Sequence, residues 1–358
     1  MTPGRLRLVF SGIVQGVGFR PYIYRLAVEQ RLAGFVHNRP DGVAVEVEGP
    51  REALDGFMFR VVRELPPLAR VSACEVSEIE PRGENGFRIV QSGEEGRPAV
   101  HIPPDTATCP QCLAELFDPS DRRYRYPFIN CTNCGPRLTI ITGIPYDRTN
   151  TSMQAFPLCD RCRREYEDPR DRRFHAEPNA CPVCGPALSL LDEQGREIPC
   201  TDPVEKTLEL LKAGLVVAVK GLGGFHLCVD ASNSEAVLRL RNRKFREEKP
   251  LAIMVRDLAS ARRLAWVSPE EERLLGGGER PIVLLARRDT EEVSAPVAPG
   301  MPNLGVMLPY TPLHHLLLSG DLTALVMTSA NQTDEPICTG NSEALKRLKG
   351  IADCSLVH

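Results

Sequence analysis

Eight of the thirteen cysteines in this 358-residue chain fall into four C-x-x-C pairs: Cys109/Cys112, Cys131/Cys134, Cys159/Cys162 and Cys181/Cys184. A C-x-x-C turn presents two thiolates to one ion, and a second turn a short interval later completes a four-sulfur shell. The spacing predicts one Zn2+ held by Cys109, Cys112, Cys131 and Cys134, and another held by Cys159, Cys162, Cys181 and Cys184. With four protein ligands each site is closed, so the metal supports the fold and does no chemistry. Thioredoxin-like redox pairs would need a strand-to-helix setting that is missing here, and four thiolates alone do not separate zinc from an iron-sulfur cluster. Cys74, Cys200, Cys228, Cys338 and Cys354 share no ligand spacing and read as buried apolar side chains.

Two further stretches have the residue types for phosphate chemistry. In Gln15-Gly16-Val17-Gly18-Phe19-Arg20 the glycines let successive N–H groups converge at a helix start, an anion cradle onto which Arg20 can fork. Asn38 supplies a neutral amide able to hold a water beside a phosphate. An ordinary tight turn would show the same glycines. Farther on, Arg239, Arg241, Arg243, Lys244, Arg246 and Lys249 are offset only by Glu247 and Glu248. A charge run of this kind is usually a solvated face, yet this one ends on an apolar strand, where convergent cations suit a polyphosphate. Ser329-Ala330-Asn331 ends another strand with a hydroxyl and an amide suited to phosphate or a planar ligand. Gly221 to Gly224 fits neither the dinucleotide-binding nor the P-loop pattern.

These residues need elements to position them. Leu6, Leu8 and Phe10 alternate as a strand, Pro21 to Leu32 has helical spacing, and Gly34–Asn38 and Val43–Glu48 form a hairpin across Asp41-Gly42. A helix over Ala53 to Leu65, then Val71–Ile79 and Phe87–Val90, complete a βαββαβ order. That order predicts a ferredoxin-like layer of helices on a four-stranded antiparallel sheet, over residues 1–91. A Gly-, Glu- and Pro-rich linker over 92–108 precedes the cysteine block at 109–184. That block is an internal duplication: Asp118-Pro119, Asp121-Arg122-Arg123-Tyr124 and Cys134-Gly135-Pro136 return as Asp168-Pro169, Asp171-Arg172-Arg173-Phe174 and Cys184-Gly185-Pro186. Tyr124, Tyr126, Phe128, Phe156, Tyr166 and Phe174 are expected to cover the metal knuckles, and the prolines to make the block a rigid spacer. From 200 to 358, helices at Val204–Lys212, Ala236–Arg243 and Ala259–Ala265 alternate with strands at Leu215–Val219, Leu251–Val255, Pro281–Leu285 and Leu325–Thr328, a mixed α/β domain.

A net charge of -3 gives no global field toward nucleic acid or anionic membrane, and acidic residues interrupt the arginines of the second cysteine repeat. No apolar run has the length of a membrane span and no apolar signal core opens the chain, so the expected location is the cytoplasm, where thiols stay reduced.

The front stretch resembles acylphosphatase: Gly12 to Arg20 match GxVQGVGFR, and Gly34, Val36, Asn38, Asp41, Gly42 and Val43 follow the second motif, with Ala44 and Val45 inserted before Glu46. The resemblance implies that Arg20 clamps the phosphate and Asn38 orients the hydrolytic water. The back stretch resembles the YrdC-like domain, with Lys244, Arg246, Lys249 and Pro250 on its KxRxxxKP signature and Ser329-Ala330-Asn331 on its SAN signature. By that resemblance these residues, with Lys220 where the family has tyrosine, seat ATP and Mg2+. Acylphosphatase-like domain, duplicated C4 zinc block and YrdC-like domain in this order are similar to the front of the hydrogenase maturation carbamoyltransferases, the HypF family.

Membership implies a hydrolase joined to an ATP-dependent ligase or transferase. Carbamoyl phosphate is hydrolysed to carbamate, which is adenylated and passed to the C-terminal cysteine of HypE toward the cyanide ligands of [NiFe]-hydrogenase. The family's last, transferase domain is absent, so the chain is expected to be a fragment. Two other readings stay open: an acylphosphatase fused to a threonylcarbamoyl-adenylate synthase, against which Lys220 and the zinc duplication argue, and a zinc-finger binding module, which would not need Arg20 and Asn38.

Overall fold

A computed structural model describes residues 3–93, 99, 101–332 and 335–358. The chain forms two compact units, Met1–Cys112 with Ile129–Gly185, and Leu113–Phe128 with Pro186–His358.

In the first unit, β1 (Gly4–Ile13), α1 (Phe19–Glu29), β2 (Ala33–Arg39), β3 (Gly42–Gly49), α2 (Arg51–Val61) and β4 (Arg70–Ile79) give the expected βαββαβ order. Leu6, Leu8 and Phe10 lie opposite Val47, Val45 and Val43 across the β1–β3 pair. Period-2 alternation therefore builds one apolar face, onto which Phe19, Ile23 and Leu26 of α1 and Leu54, Phe57 and Val61 of α2 pack. A short β5 (Phe87–Ile89) joins β2 in parallel, so the sheet has five strands in the order β4-β1-β3-β2-β5. α1 starts two residues earlier than expected because Gly18, in the left-handed region at φ 73°, caps it and puts Phe19 and Arg20 in its first turn.

The other face of β1 carries Arg5, which is buried and bonds Glu46 at 2.6 Å, Glu48 at 2.8 Å and Glu84 at 2.8 Å. Glu48 also accepts from the N–H groups of Arg82 and Gly83. Removing the cation strands three carboxylates, of which Glu48 is buried and Glu46 and Glu84 are partly exposed, so Arg5→Ala is expected to lower stability by about 3–5 kcal/mol. A urea midpoint unchanged from that of the unaltered chain would refute this.

The cysteine block has little regular structure. α3 (Pro110–Phe117) and α4 (Asp160–Glu167) hold equivalent places in the two repeats, each carrying the second cysteine of its first pair.

The second unit is built on a mixed eight-stranded sheet in the order β10-β11-β9-β12-β8-β7-β13-β6. In chain order its elements are β6 (Ser189–Asp192), α5 (Pro203–Lys212), β7 (Val217–Lys220), β8 (Phe225–Asp230), α6 (Ser234–Lys244), β9 (Ile253–Val255), α7 (Leu258–Leu264), α8 (Pro269–Gly276), β10 (Val283–Ala286), β11 (Asn303–Met307), α9 (Pro312–Leu317), β12 (Ala324–Ser329), α10 (Asn341–Arg347) and β13 (Cys354–Val357). The four expected strands are β7, β9, β10 and β12. Sequence reading passed over β6, β8, β11 and β13. β13 is an interior strand, parallel to β7 and antiparallel to β6, with all four residues buried. Among the described residues no helix is long and apolar enough to cross a membrane.

Candidate active sites and metal clusters

The four sulfurs of Cys109, Cys112, Cys131 and Cys134, and those of Cys159, Cys162, Cys181 and Cys184, each lie within 4.8 Å of one another. Neighbouring Sγ atoms are 3.5–3.9 Å apart in the first cluster and 3.8 Å in the second. Bonds of about 2.3 Å to a central tetrahedral ion place sulfurs about 3.8 Å apart, whereas a disulfide needs about 2.05 Å. The geometry fits a metal thiolate shell and excludes paired disulfides. Arg172 places both terminal nitrogens 3.2 Å from Cys112 Sγ, a cation against a site that carries excess negative charge when loaded. Of the five other cysteines, Cys228, Cys338 and Cys354 are buried as expected; Cys74 is half-buried and Cys200 exposed.

The glycine loop after β1 bends onto the cysteine block of the same unit. Gly16 and Gly18 both have positive φ, and a Cβ on Gly16 would stand 3.2 Å from Arg137 and 3.3 Å from Tyr146. Gln15 receives the Tyr146 N–H at 2.8 Å. Arg137 donates to the Gly16 carbonyl and to the carbonyls of Cys131, Thr132, Cys134 and Pro136. One buried guanidinium thus joins the first metal knuckle to the cradle.

Arg20 and Asn38 meet over this loop, both buried. Arg20 pairs with Asp147 Oδ1 at 2.8 Å and Glu177 Oε1 at 2.7 Å. Asn38 Nδ2 donates to Tyr146 O at 3.0 Å and lies 3.3 Å from Asp147 Oδ1. Its Oδ1 is buried with no partner among the described residues. Burial alone would pull the Arg20 guanidinium down, but the charges of Asp147 and Glu177 outweigh it and hold the group up. Burial pushes the Glu177 carboxyl up, opposed by Arg20. Glu177 Oε2 accepts from Tyr166 OH and from the Arg148 N–H, both at 2.9 Å. Tyr166, expected to cover a metal knuckle, therefore supports the arginine instead. His175 lines the same cavity with an unpartnered Nδ1, and burial beside Arg20 lowers it to about 3. The cavity measures about 20 Å3, room for one or two waters. Any larger ligand would need the Arg20 ion pairs to open.

In the second unit, Lys244 Nζ reaches Ser329 O at 2.8 Å and Asn331 O and Oδ1 at 2.5 and 2.9 Å. Ser329 Oγ donates to Asn331 Oδ1 at 2.7 Å, and Arg246 lies 3.4 Å from Thr328 Oγ1. Lys244, Arg246, Ser329 and Asn331 thus gather at the end of β12. Lys249 joins through its carbonyl, which accepts from Arg246 and Arg241, while its side chain is exposed. Lys220 turns to Asn341 Oδ1 and the His358 backbone oxygen. The rest of the basic run builds structure: Arg241 is buried on five carbonyls, Arg243 pairs with Asp353, and Arg239 bonds Gly214 O. Between Lys244 and Arg246, Phe245 caps α6 at φ 51°, a strained setting for a non-glycine residue.

Two groups escaped the sequence reading. Asp147 is singled out by no motif, and Glu177 counts only among the acids that interrupt the arginines of the second cysteine repeat. His226, Tyr310 and His314 cluster beside the glycine turn, with His226 Nε2 2.7 Å from Tyr310 OH and both ring nitrogens of buried His314 unpartnered among the described residues. His226 is the cross-strand neighbour of Ser329, and burial lowers its pKa to about 4.

Comparison with known proteins follows the same division. Residues 6–89 match the acylphosphatase family, residues 108–141 and 158–191 each match the HypF finger, and residues 209–358 match the family described as telomere recombination, Sua5/YciO/YrdC. The chain is 53% identical to carbamoyltransferase HypF2 of Cupriavidus necator over 99% of its own length and 46% of that protein. It is 49% identical to carbamoyltransferase HypF of Synechocystis over 97% of its length and 45% of that protein. A crystal structure of full-length HypF in a phosphate- and nucleotide-bound form superposes with a TM-score of 0.95 at 47% identity, covering 99% of this chain and 46% of that one. The chain spans about half the length of the relatives it matches, and within that span every cysteine pair and both phosphate-type clusters fall inside a matched domain. On that evidence the chain belongs to the HypF carbamoyltransferase family.

Proposed function

We propose that this chain activates one carbon unit twice. At Arg20 and Asn38, water attacks the phosphorus of carbamoyl phosphate and the bond from phosphorus to the acyl oxygen breaks, giving carbamate and orthophosphate. Arg20 forks onto the phosphate oxygens, and the unpartnered Asn38 Oδ1 accepts an O–H of the water while leaving its attacking lone pair clear. An acyl phosphate is already activated, so positioning and charge stabilisation suffice. In the second unit, a carbamate oxygen attacks the α-phosphorus of ATP, giving carbamoyl-adenylate and pyrophosphate. Lys244, Arg246 and Lys249 neutralise the triphosphate, with Ser329 and Asn331 seating the nucleotide; ATP arrives with Mg2+, which shares the phosphate charge. Lys220 is the remaining candidate for the nucleotide. The two cysteine clusters hold structural Zn2+. The carbamoyl group is destined for the C-terminal cysteine of HypE, toward the cyanide ligands of [NiFe]-hydrogenase.

The observation that carries this reading is the convergence of buried Arg20 and Asn38 on Asp147 Oδ1, in a chain that also gathers Lys244, Arg246, Ser329 and Asn331 at a strand end. Its test is exchange of labelled pyrophosphate into ATP, driven by carbamoyl phosphate and Mg2+. Arg246→Ala is expected to slow exchange by about 2–4 kcal/mol of barrier, the usual loss for one charge-stabilising donor. Burial and the charge of Arg246 lower Lys244 to about 8, so exchange at low ATP should also fall as pH rises through that value. Exchange driven instead by threonine and bicarbonate would assign the chain to the threonylcarbamoyl-adenylate reading.

A further inference from the structure

The phosphate clamp is held by carboxylates that the acylphosphatase-like fold does not supply. Asp147 and Glu177 both come from the cysteine block, and both bond Arg20 through one oxygen each. Their second oxygens are already engaged. Ser92 Oγ donates to Asp147 Oδ2, and Tyr166 OH and the Arg148 N–H hold Glu177 Oε2. When Arg20 turns to a phosphate, only Asp147 Oδ1 and Glu177 Oε1 lose a donor; Asp147 Oδ1 keeps Asn38 Nδ2 at 3.3 Å, whereas Glu177 Oε1 keeps none among the described residues and Glu177 is fully buried.

An incoming ligand must satisfy both halves of the ion pairs it displaces. A phosphate group replaces the carboxylates on Arg20. Something must also donate to the two released oxygens, because an unpaired buried acceptor carries its whole desolvation penalty. The amino group of a carbamoyl phosphate has two N–H donors and no acceptor. Acetyl phosphate has a methyl group at that place and would leave Glu177 Oε1 bare and Asp147 Oδ1 with Asn38 Nδ2 alone. Sites built to hydrogen-bond a donor reject analogues that lack it far more strongly than apolar pockets reject a missing methylene.

We infer that Asp147 Oδ1 and Glu177 Oε1 are the specificity determinants of the front site, receiving the N–H groups of the carbamoyl moiety and selecting it from alkyl acyl phosphates. The inference rests on the reading of Arg20 and Asn38 as an acyl phosphate hydrolysis site. It gives the cysteine block a part in substrate choice beyond that of a rigid spacer.

The test compares phosphate release from carbamoyl and acetyl phosphate by the whole chain and by Asp147→Ala. The ratio of the two kcat/KM values is expected to fall at least tenfold in the variant, with acetyl phosphate hydrolysis rising because Arg20 is less sequestered. Equal changes for both substrates would reduce Asp147 to a structural role and overturn the inference. A second measurement needs no substitution. Calorimetric binding of phosphonoacetamide to the unaltered chain should be at least tenfold tighter than that of 2-oxopropylphosphonate, which differs by a methyl in place of the amino group. Equal affinities would overturn the inference while leaving the hydrolysis reading intact. Absence of phosphate release from both substrates by the unaltered chain would remove that reading and the inference with it.

Discussion

Arg20→Met is expected to lower phosphate release from carbamoyl phosphate to near background, a loss of at least about 10^3-fold, since one charge-stabilising donor is commonly worth 10^2 to 10^3 and this fork supplies two. The same change should cost stability, because it strands the Asp147 and Glu177 carboxyls without the cation that pairs them. The two effects separate in a triple variant. Adding Asp147→Asn and Glu177→Gln removes the stranded charges and should restore the thermal midpoint while leaving hydrolysis lost. If the triple variant recovers both, Arg20 organises the interface and another group binds the phosphate. Lysine at position 20 should recover part of the stability and little of the rate, since a point charge cannot fork onto two oxygens.

Loss of metal should have the next largest effect. Structural zinc in a four-thiolate shell binds with an apparent free energy of about 10–16 kcal/mol, as much as or more than the whole stability of an ordinary domain. The cysteine block has two eight-residue helices and short turns to set against that loss. Cys131→Ser is therefore expected to unfold the first repeat and not merely loosen it, with loss of protease resistance over the block. Elemental analysis of the unaltered protein should return close to two zinc equivalents per chain. One equivalent, or iron with a visible cluster spectrum, would refute the assignment.

Much of this was legible in the sequence because it depends on local spacing. The cysteine pairs declare their ligand sets, and Leu6, Leu8 and Phe10 declare a buried face by strict alternation. Arg20 and Asn38 could be picked out because short motifs carry them. What stayed hidden depends on distant partners. Nothing in the local sequence marks Asp147 or Glu177, and only tertiary folding brings them to Arg20, 127 and 157 positions away. The basic run at 239–249 could not be divided by reading alone, since Arg241 on five carbonyls and Arg246 beside Thr328 are the same residue type in the same pattern. β13 was missed because Cys354-Ser355-Leu356-Val357 is too short to show a period of its own. α8, by contrast, had a readable start in the capping box of Ser268 and Glu271.

The single guanidinium of Arg137, bonded at once to Gly16 and to the carbonyls of the first cysteine knuckle, also fixes an order of events during synthesis. Chains emerge from the ribosome front first and domains fold as they appear. The β-sheet of the first unit can form when its last strand is out, but its glycine loop stays unbraced until residue 137 follows and the knuckle around it closes on metal. The arginine clamp gains Asp147 and then Glu177 only later still. A nascent chain, or one made in a cell short of zinc, would thus hold a cradle whose glycine loop is unbraced and whose arginine has not yet met Asp147 and Glu177.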